Sequence, residues 1–391
     1  MRSADVIVIG LGAMGSAAAY QLAQRGVRVI GIDQHAPPHT LGSTHGDTRV
    51  TREATAEGAE YVPLAQRSHQ LWREIEAESG ADLFTACGVL MIGPAAPGGS
   101  MHGVDDWVAS TAALAARFEI EHEVLSGAAA RERYPLFAID DDARAYFEPG
   151  GGFVRPEAAV AAQLQLAERL GAELRLNERV LGLNPLEGGG VEVTTTTGAL
   201  AADHVVLCAG AWVPTFVNDP ALRARFTIHR QTLHWFAVDP ARARIATPEH
   251  CPVYMWTFGT APEEHFYGFP AIDGAGGGMK VANEVAGAGA GTDLARASRE
   301  VPTSEARAMY DACLRGRHVG VTATRLRSAT CLYTSTPGSR FIIDTHPELA
   351  DVTLVSPCSG HGFKHSVAIG ESIAQRIADG RSEIDLSWFG V

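Results

Sequence analysis

The first 33 residues constrain this chain more than any other stretch. Asp5-Val-Ile-Val-Ile9 is short, β-branched and without helical period, so it reads as a buried strand. Gly10-Leu-Gly12-Ala-Met-Gly15 follows, then an alanine-rich stretch from Ser16 to Arg25 that reads as a helix ended by Gly26. Val27-Arg-Val-Ile-Gly-Ile32 reads as a second strand, with Asp33 at its end. Strand, glycine turn, helix, strand and acid at these spacings make a dinucleotide-binding unit. Gly10 permits the tight turn, Gly12 lets the backbone approach a pyrophosphate, and Gly15 lets helix pack on strand. The helix N-terminus offers free N–H groups and the positive end of its dipole to phosphates. Asp33 is placed to accept hydrogen bonds from ribose hydroxyls. The motif does not separate FAD from NAD. The opening Met1-Arg2, apolar run and Ala17-Ala18-Ala19 can also pass for a signal peptide, but the strand–turn–helix reading explains more residues.

A length of 391 residues predicts about two domains. Strand, glycine turn and helix recur at the far end: a strand over 352–356, Ser359-Gly-His-Gly-Phe-Lys364, then a helix to about Ala378. Residues 204–209 read as another buried strand, where a dinucleotide domain could resume after an insertion. Helices are expected over 61–78, 104–118 and 156–170, and strands over 89–92, 231–238, 253–257 and 265–269. Two chain ends that both build nucleotide-site turns imply interleaved domains. The expected fold class is α/β, α+β in part. A Rossmann-type nucleotide domain takes 1–85, 150–215 and 326–391, and a mixed-sheet substrate domain takes 86–149 and 216–325. The polar loop over 34–52 lies next to the nucleotide site and is a candidate site loop.

Charge excludes some partners. With 32 basic against 45 acidic residues the net charge is −13, which disfavours nucleic acid and anionic membrane surfaces. No second apolar run is long enough to span a bilayer. Six cysteines without a C-x-x-C pair suggest neither a disulfide framework nor a zinc ribbon, and fit a reducing cytoplasm. The spacing of His361 and His365 lacks a third ligand, so no metal site is expected. Of the 32 basic residues only Lys280 and Lys364 are lysine. In so arginine-rich a chain, these two positions suggest a need for a compact ammonium.

Several further motifs together resemble one family. They are Gly42-Ser-Thr-His-Gly-Asp-Thr-Arg49, Tyr61-Val-Pro-Leu64, Tyr267-Gly-Phe-Pro270, Cys331-Leu-Tyr333, Phe341-Ile-Ile-Asp344 and Ser359–Lys364. With the N-terminal turn, they are similar over nearly the whole length to the monomeric sarcosine oxidase and N-methyltryptophan oxidase family of flavoproteins. The resemblance implies FAD, bonded through its 8α-methyl to the sulfur of Cys331. It implies that Lys280 promotes reaction with oxygen, and that Arg52 and Lys364 grip a substrate carboxylate. It places His45, Thr48 and Arg49 near the flavin ring, and Tyr267 and Tyr333 in the substrate site. Gly360, His361, Gly362 and Phe363 would bring backbone close to the flavin.

The implied activity is oxidation of a secondary or N-methyl α-amino acid. Hydride passes to flavin N5, the imine hydrolyses and O2 becomes hydrogen peroxide, in a cytoplasmic and monomeric enzyme. A cyclic imino acid oxidase and a flavin dehydrogenase with another acceptor stand as alternatives. The chain departs from the family pattern at Thr44, Glu53, Thr55 and Glu284. Thr55 for the usual tyrosine would open space. Glu53 or Glu284 could meet a cationic substrate group, or both could face solvent.

Overall fold

The computed structural model describes residues 3–96, 98–261, 263–284, 294 and 297–391. β1 (Ala4–Ile9), α1 (Ala13–Gln24) and β2 (Val29–Asp33) stand where the glycine motif places them. β1 lies between β2 and the strand Ala199–Leu207, parallel to both, and Glu173–Leu176 continues the parallel set beyond β2. The strand Ala199–Leu207 pairs antiparallel with Val191–Thr195 through its first half and parallel with Leu349–Ser356 through its second. Val180–Pro185 and Ile342–His346 complete an eight-stranded sheet.

α1 packs against the helices Ser366–Asp379 and Pro156–Arg169. Its alanines explain the close fit. Ala17, Ala18 and Ala19 are fully buried, and a Cβ on Gly370 would lie 2.6 Å from that of Ala17. The apolar residues of β1 and β2 are covered on both faces, which is why they read as unbroken hydrophobic runs.

The second sheet also has eight strands. Val321–Ser335 forms one edge, followed by Thr227–Val238, Met279–Ala282 and His265–Gly268. Val253–Thr257, Val89–Gly93, Arg144–Glu148 and Glu123–Ser126 complete it. It is mixed: Val253–Thr257 runs parallel to Val89–Gly93 and the other described pairs are antiparallel. A small sheet of Arg49–Thr51, Gly152–Val154 and Phe84–Thr85 accompanies them. Followed along the chain, the strands pass from the first large sheet to the second and back, four crossings in all. The edge strand Val321–Ser335 is continuous, so the expected boundary at 326 falls inside it.

Candidate active site

The glycine turn opens a long crevice. Gly10 has φ +84°, and a Cβ there would lie 2.4 Å from the Cys208 carbonyl oxygen. At Gly15 a Cβ would lie 1.7 Å from the Gly10 carbonyl oxygen, so only glycine fits both places. At Gly12 the space beyond the backbone is open apart from Thr44 Oγ1 at 3.5 Å, as an approaching ligand requires. The Asp33 carboxylate accepts from the backbone N–H of Leu11 and of His35, each at 2.8 Å, and keeps lone pairs toward the crevice it lines. The crevice runs from this turn past Trp212 to Gly360, Gly362 and Phe363, with a volume of about 200 Å³.

The second glycine turn closes the other end. A Cβ on Gly362 would lie 1.5 Å from the Pro357 carbonyl oxygen, and Gly360 has φ +82°. Phe363 is held by stacking on Trp72, with ring centres 5.8 Å apart. Beyond this end lies a smaller cavity of about 50 Å³. Arg49, Tyr333, Gly360 and Phe363 line both spaces, so the two meet there.

Both lysines of the chain line the small cavity. Lys280 arrives on the strand Met279–Ala282 and is buried. Its Nζ donates to the carbonyls of Gly46 at 2.8 Å and Thr48 at 2.6 Å, and sits 4.2 Å from the centre of the Phe269 ring. Burial, with the Arg49 guanidinium, holds its pKa well below the usual lysine value. Arg49 in turn donates to the carbonyls of Thr48 and Ser43. Tyr267 and Tyr333 meet hydroxyl to hydroxyl at 3.2 Å, and burial raises both phenols, so they stay protonated at neutral pH. Buried His45 is neutral as well, because burial, Arg49 and Lys280 push its pKa down to about 4.

Arg52 and Lys364 belong to a buried chain of charge. Arg52 does not itself line the small cavity. Its Nη2 lies 3.1 Å from Glu57 Oε2, and it sits 5.0 Å from the Trp107 ring centre. Glu57 Oε1 lies 3.2 Å from His102 Nδ1 and 3.7 Å from Lys364 Nζ. His102 Nε2 is 2.9 Å from Glu284 Oε2. Burial opposes the charge on Glu57, but Lys364, Arg52 and His102 hold its pKa well below the usual carboxylate value. Burial likewise opposes an imidazolium at His102, but Glu284 and Glu57 outweigh it and raise the pKa to about 9. Lys364 donates to the His361 carbonyl at 3.0 Å; burial lowers its pKa to about 8, with Glu57 opposing.

The departures separate here. Glu284 lines the small cavity. Glu53 instead faces His69, at 3.4 Å, and lines neither space. Thr55 is fully buried and also lines neither, so its smaller side chain opens no room in the small cavity. His361 lines the cavity with its Nε2 on the Ser339 carbonyl. Cys331 is fully buried on the edge strand of the second sheet and lines neither space, although Tyr333, two residues on and on the same face, lines both.

Residues 5–376 match the family described as FAD dependent oxidoreductase. The chain belongs to this family. Among curated relatives, monomeric sarcosine oxidase of Streptomyces avermitilis is 38% identical over 98% of this chain and 96% of its own. N-methyl-L-tryptophan oxidase of Yersinia pestis is 34% identical over 99% and 98%. In fold, the chain is similar to NikD, an unusual amino acid oxidase essential for nikkomycin biosynthesis, with TM-score 0.82, 23% identity and coverage of 100% and 98%. L-proline dehydrogenase from P. horikoshii follows at TM-score 0.77 and 21% identity, covering 100% and 97%.

The residues present fit the family's FAD. The crevice is elongated, begins at a glycine turn and helix N-terminus, and ends against a second turn whose glycines leave the backbone bare. In the wall of the adjoining small cavity, Thr48 Oγ1 is buried with no hydrogen-bond partner among the described residues. Within the polar loop over 34–52, Gly42, Ser43, Thr44 and Arg49 line the crevice, and the loop is held by Lys280 from the second sheet and by Glu157, which accepts from Gly46 N–H at 2.5 Å.

Sequence reasoning missed His102 and gave no role to Glu57. It also missed Glu148, whose buried carboxylate accepts from the N–H of Glu53 and Ala54 and so fixes the backbone after Arg52. His102 lies in a loop rich in proline and glycine and adopts φ +53°. No local pattern marks it. Among the described residues no cluster of His, Cys, Asp and Glu is placed to hold a metal ion, and no helix is long and apolar enough to cross a membrane.

Proposed function

We propose that this flavoprotein oxidises a small secondary or N-methyl α-amino acid, with O2 as the acceptor. One observation carries the reading. The end of the dinucleotide crevice and a small cavity holding both lysines share the wall made by Arg49, Tyr333, Gly360 and Phe363. When bound, FAD would supply the oxidant: it would accept one hydride equivalent, which carries both electrons, from a carbon next to the substrate nitrogen and pass the two electrons to O2 to give hydrogen peroxide, while the imine product hydrolyses in water. The names of the relatives, sarcosine oxidase and N-methyl-L-tryptophan oxidase, support the substrate class.

The chain's own residues do the rest. Lys364 binds the substrate carboxylate as a point charge, with Arg52 behind it holding Glu57 and keeping the cluster cationic. Tyr267 and Tyr333 present neutral hydroxyls that orient the amine without adding charge. Lys280 is held at one place by two carbonyls, in the wall of the cavity where oxygen would react. A cavity of about 50 Å³ favours small amino acids. Cys331 carries the covalent flavin link in this reading. Burial pushes its thiol pKa up to about 11, and Arg49 offsets only part of that rise. A monomer in a reducing compartment completes the proposal, in keeping with six cysteines that form no disulfide.

The test has two parts on one preparation. Acid precipitation should leave yellow colour in the pellet for the wild type and in the supernatant for Cys331→Ser. A panel of N-methyl, cyclic and primary amino acids, scored by anaerobic bleaching and then by peroxide on admitting air, should show small secondary amines reacting best. Bleaching only by primary amines would overturn the substrate class. Bleaching without peroxide would overturn the acceptor.

A further inference from the structure

The small cavity has an acid in its wall that the proposed chemistry does not use. Glu284 lies two residues beyond the strand Met279–Ala282 that carries Lys280, and its side chain is 16% exposed, toward the cavity it lines. His102 holds Oε2 at 2.9 Å, and Oε1 accepts no hydrogen bond from a described residue. The carboxylate lies against bare backbone at the junction of the two spaces. A Cβ on Gly360 would come within 2.7 Å of Oε2 and 2.8 Å of Oε1. Behind it, His102 bridges Glu284 to Glu57, so the carboxylate is anchored through a chain that also reaches Lys364. The cavity therefore offers an ammonium and a carboxylate, both fixed and both largely cut off from water.

We propose that Glu284 recognises the substrate nitrogen as a cation, so that the amino acid enters as its zwitterion, carboxylate on Lys364 and ammonium on Glu284. This deepens the function proposed above and rests on it. An amine near neutral pH is mostly protonated, and a protonated nitrogen has no lone pair with which to expel hydride. Glu284 Oε1 therefore meets the nitrogen in its arriving, protonated form and accepts a charge-assisted hydrogen bond from it. Glu284 is in this sense a specificity residue. Its charge survives burial because of what stands around it: burial raises the Glu284 pKa, but His102, with His265 and His361, together lower it below the usual carboxylate value.

Two non-oxidisable carboxylates of equal shape isolate the charge. Trimethylammonioacetate carries a fixed cation, and 3,3-dimethylbutanoate places a carbon where that nitrogen stands. Their dissociation constants are measured by titration calorimetry on the flavin-loaded wild type and on Glu284→Gln. The wild type should prefer the cation by roughly 10-fold or more. Glu284→Gln should lose that preference while binding 3,3-dimethylbutanoate at least as well, which also shows that its cavity is intact. Equal binding of the pair by the wild type, or a preference that survives Glu284→Gln, overturns the proposal. If the wild type binds neither carboxylate, the amino-acid reading of the cavity fails first and this proposal with it. If Glu284→Gln fails to load flavin, His102→Gln serves as the second variant. It keeps the acid but removes its anchor, and should weaken the preference without abolishing it; an unchanged preference overturns the role given to the chain behind Glu284.

Discussion

Lys364 sets a pH dependence that can be read on binding alone. Burial lowers its pKa to about 8, and Glu57, Arg52 and Glu284 are the charged groups around it. Below that value it is an ammonium and attracts a carboxylate. Above it the charge is lost. The affinity of 3,3-dimethylbutanoate should therefore hold from pH 6 to 7 and fall as pH rises through 8, by roughly 10-fold for each unit beyond. Lys364→Met should bind weakly and without that bend; an unbent wild-type profile would remove Lys364 as the carboxylate's partner. Both lysines were legible in the sequence because a rare residue in an arginine-rich chain stands out. His102 was not, because the loop that carries it is positioned by contacts distant in sequence. Its partners Glu57 and Glu284 lie 45 and 182 residues away. Arg52 was legible as a cation but not as one whose guanidinium is already engaged by Glu57.

At the scale of elements, the two glycine turns govern whether the crevice exists. At Gly362 the missing Cβ is replaced by the Pro357 carbonyl, which is backbone and cannot swing aside. Gly362→Ala should cost about 1–3 kcal/mol in stability and sharply reduce flavin content, seen as a lower ratio of visible to ultraviolet absorbance. Gly182→Ala is the control. It has open space around it, so it should change stability by less than about 0.5 kcal/mol and leave flavin content alone. These turns were legible because glycine spacing reports a backbone requirement directly. The long strands came through for a similar reason, since an apolar run without helical period has few alternatives. Strand edges were less legible. Thr227–Val238 begins four residues before the expected start at 231, because its polar first residues gain strand geometry from pairing with the long strand Val321–Ser335.

For the whole molecule, the crevice is lined by residues from both ends of the chain and from its middle, from Gly10 through Cys208 to Phe363. Filling it joins segments that the unfolded chain keeps far apart, so a bound cofactor should stabilise all of them together. Protein made under riboflavin limitation, separated into yellow and colourless fractions, should show a melting temperature lower by several degrees in the colourless fraction. Equal melting temperatures would mean that the bound cofactor adds no net stability to the fold. The interleaved fold was legible in outline from the two nucleotide-type turns. The strand order within the second sheet was not, because alternation fixes which face a strand shows but not which neighbour it takes.

The four crossings between sheets have a mechanical consequence. Suppose a protease cuts once between the strands Val89–Gly93 and Glu123–Ser126. The amino-terminal piece still holds two strands of the first sheet and one of the second, and the other piece holds their neighbours in both. The broken backbone is thus stitched on two separate seams. A single nick makes two polypeptides on a denaturing gel and leaves one particle in solution.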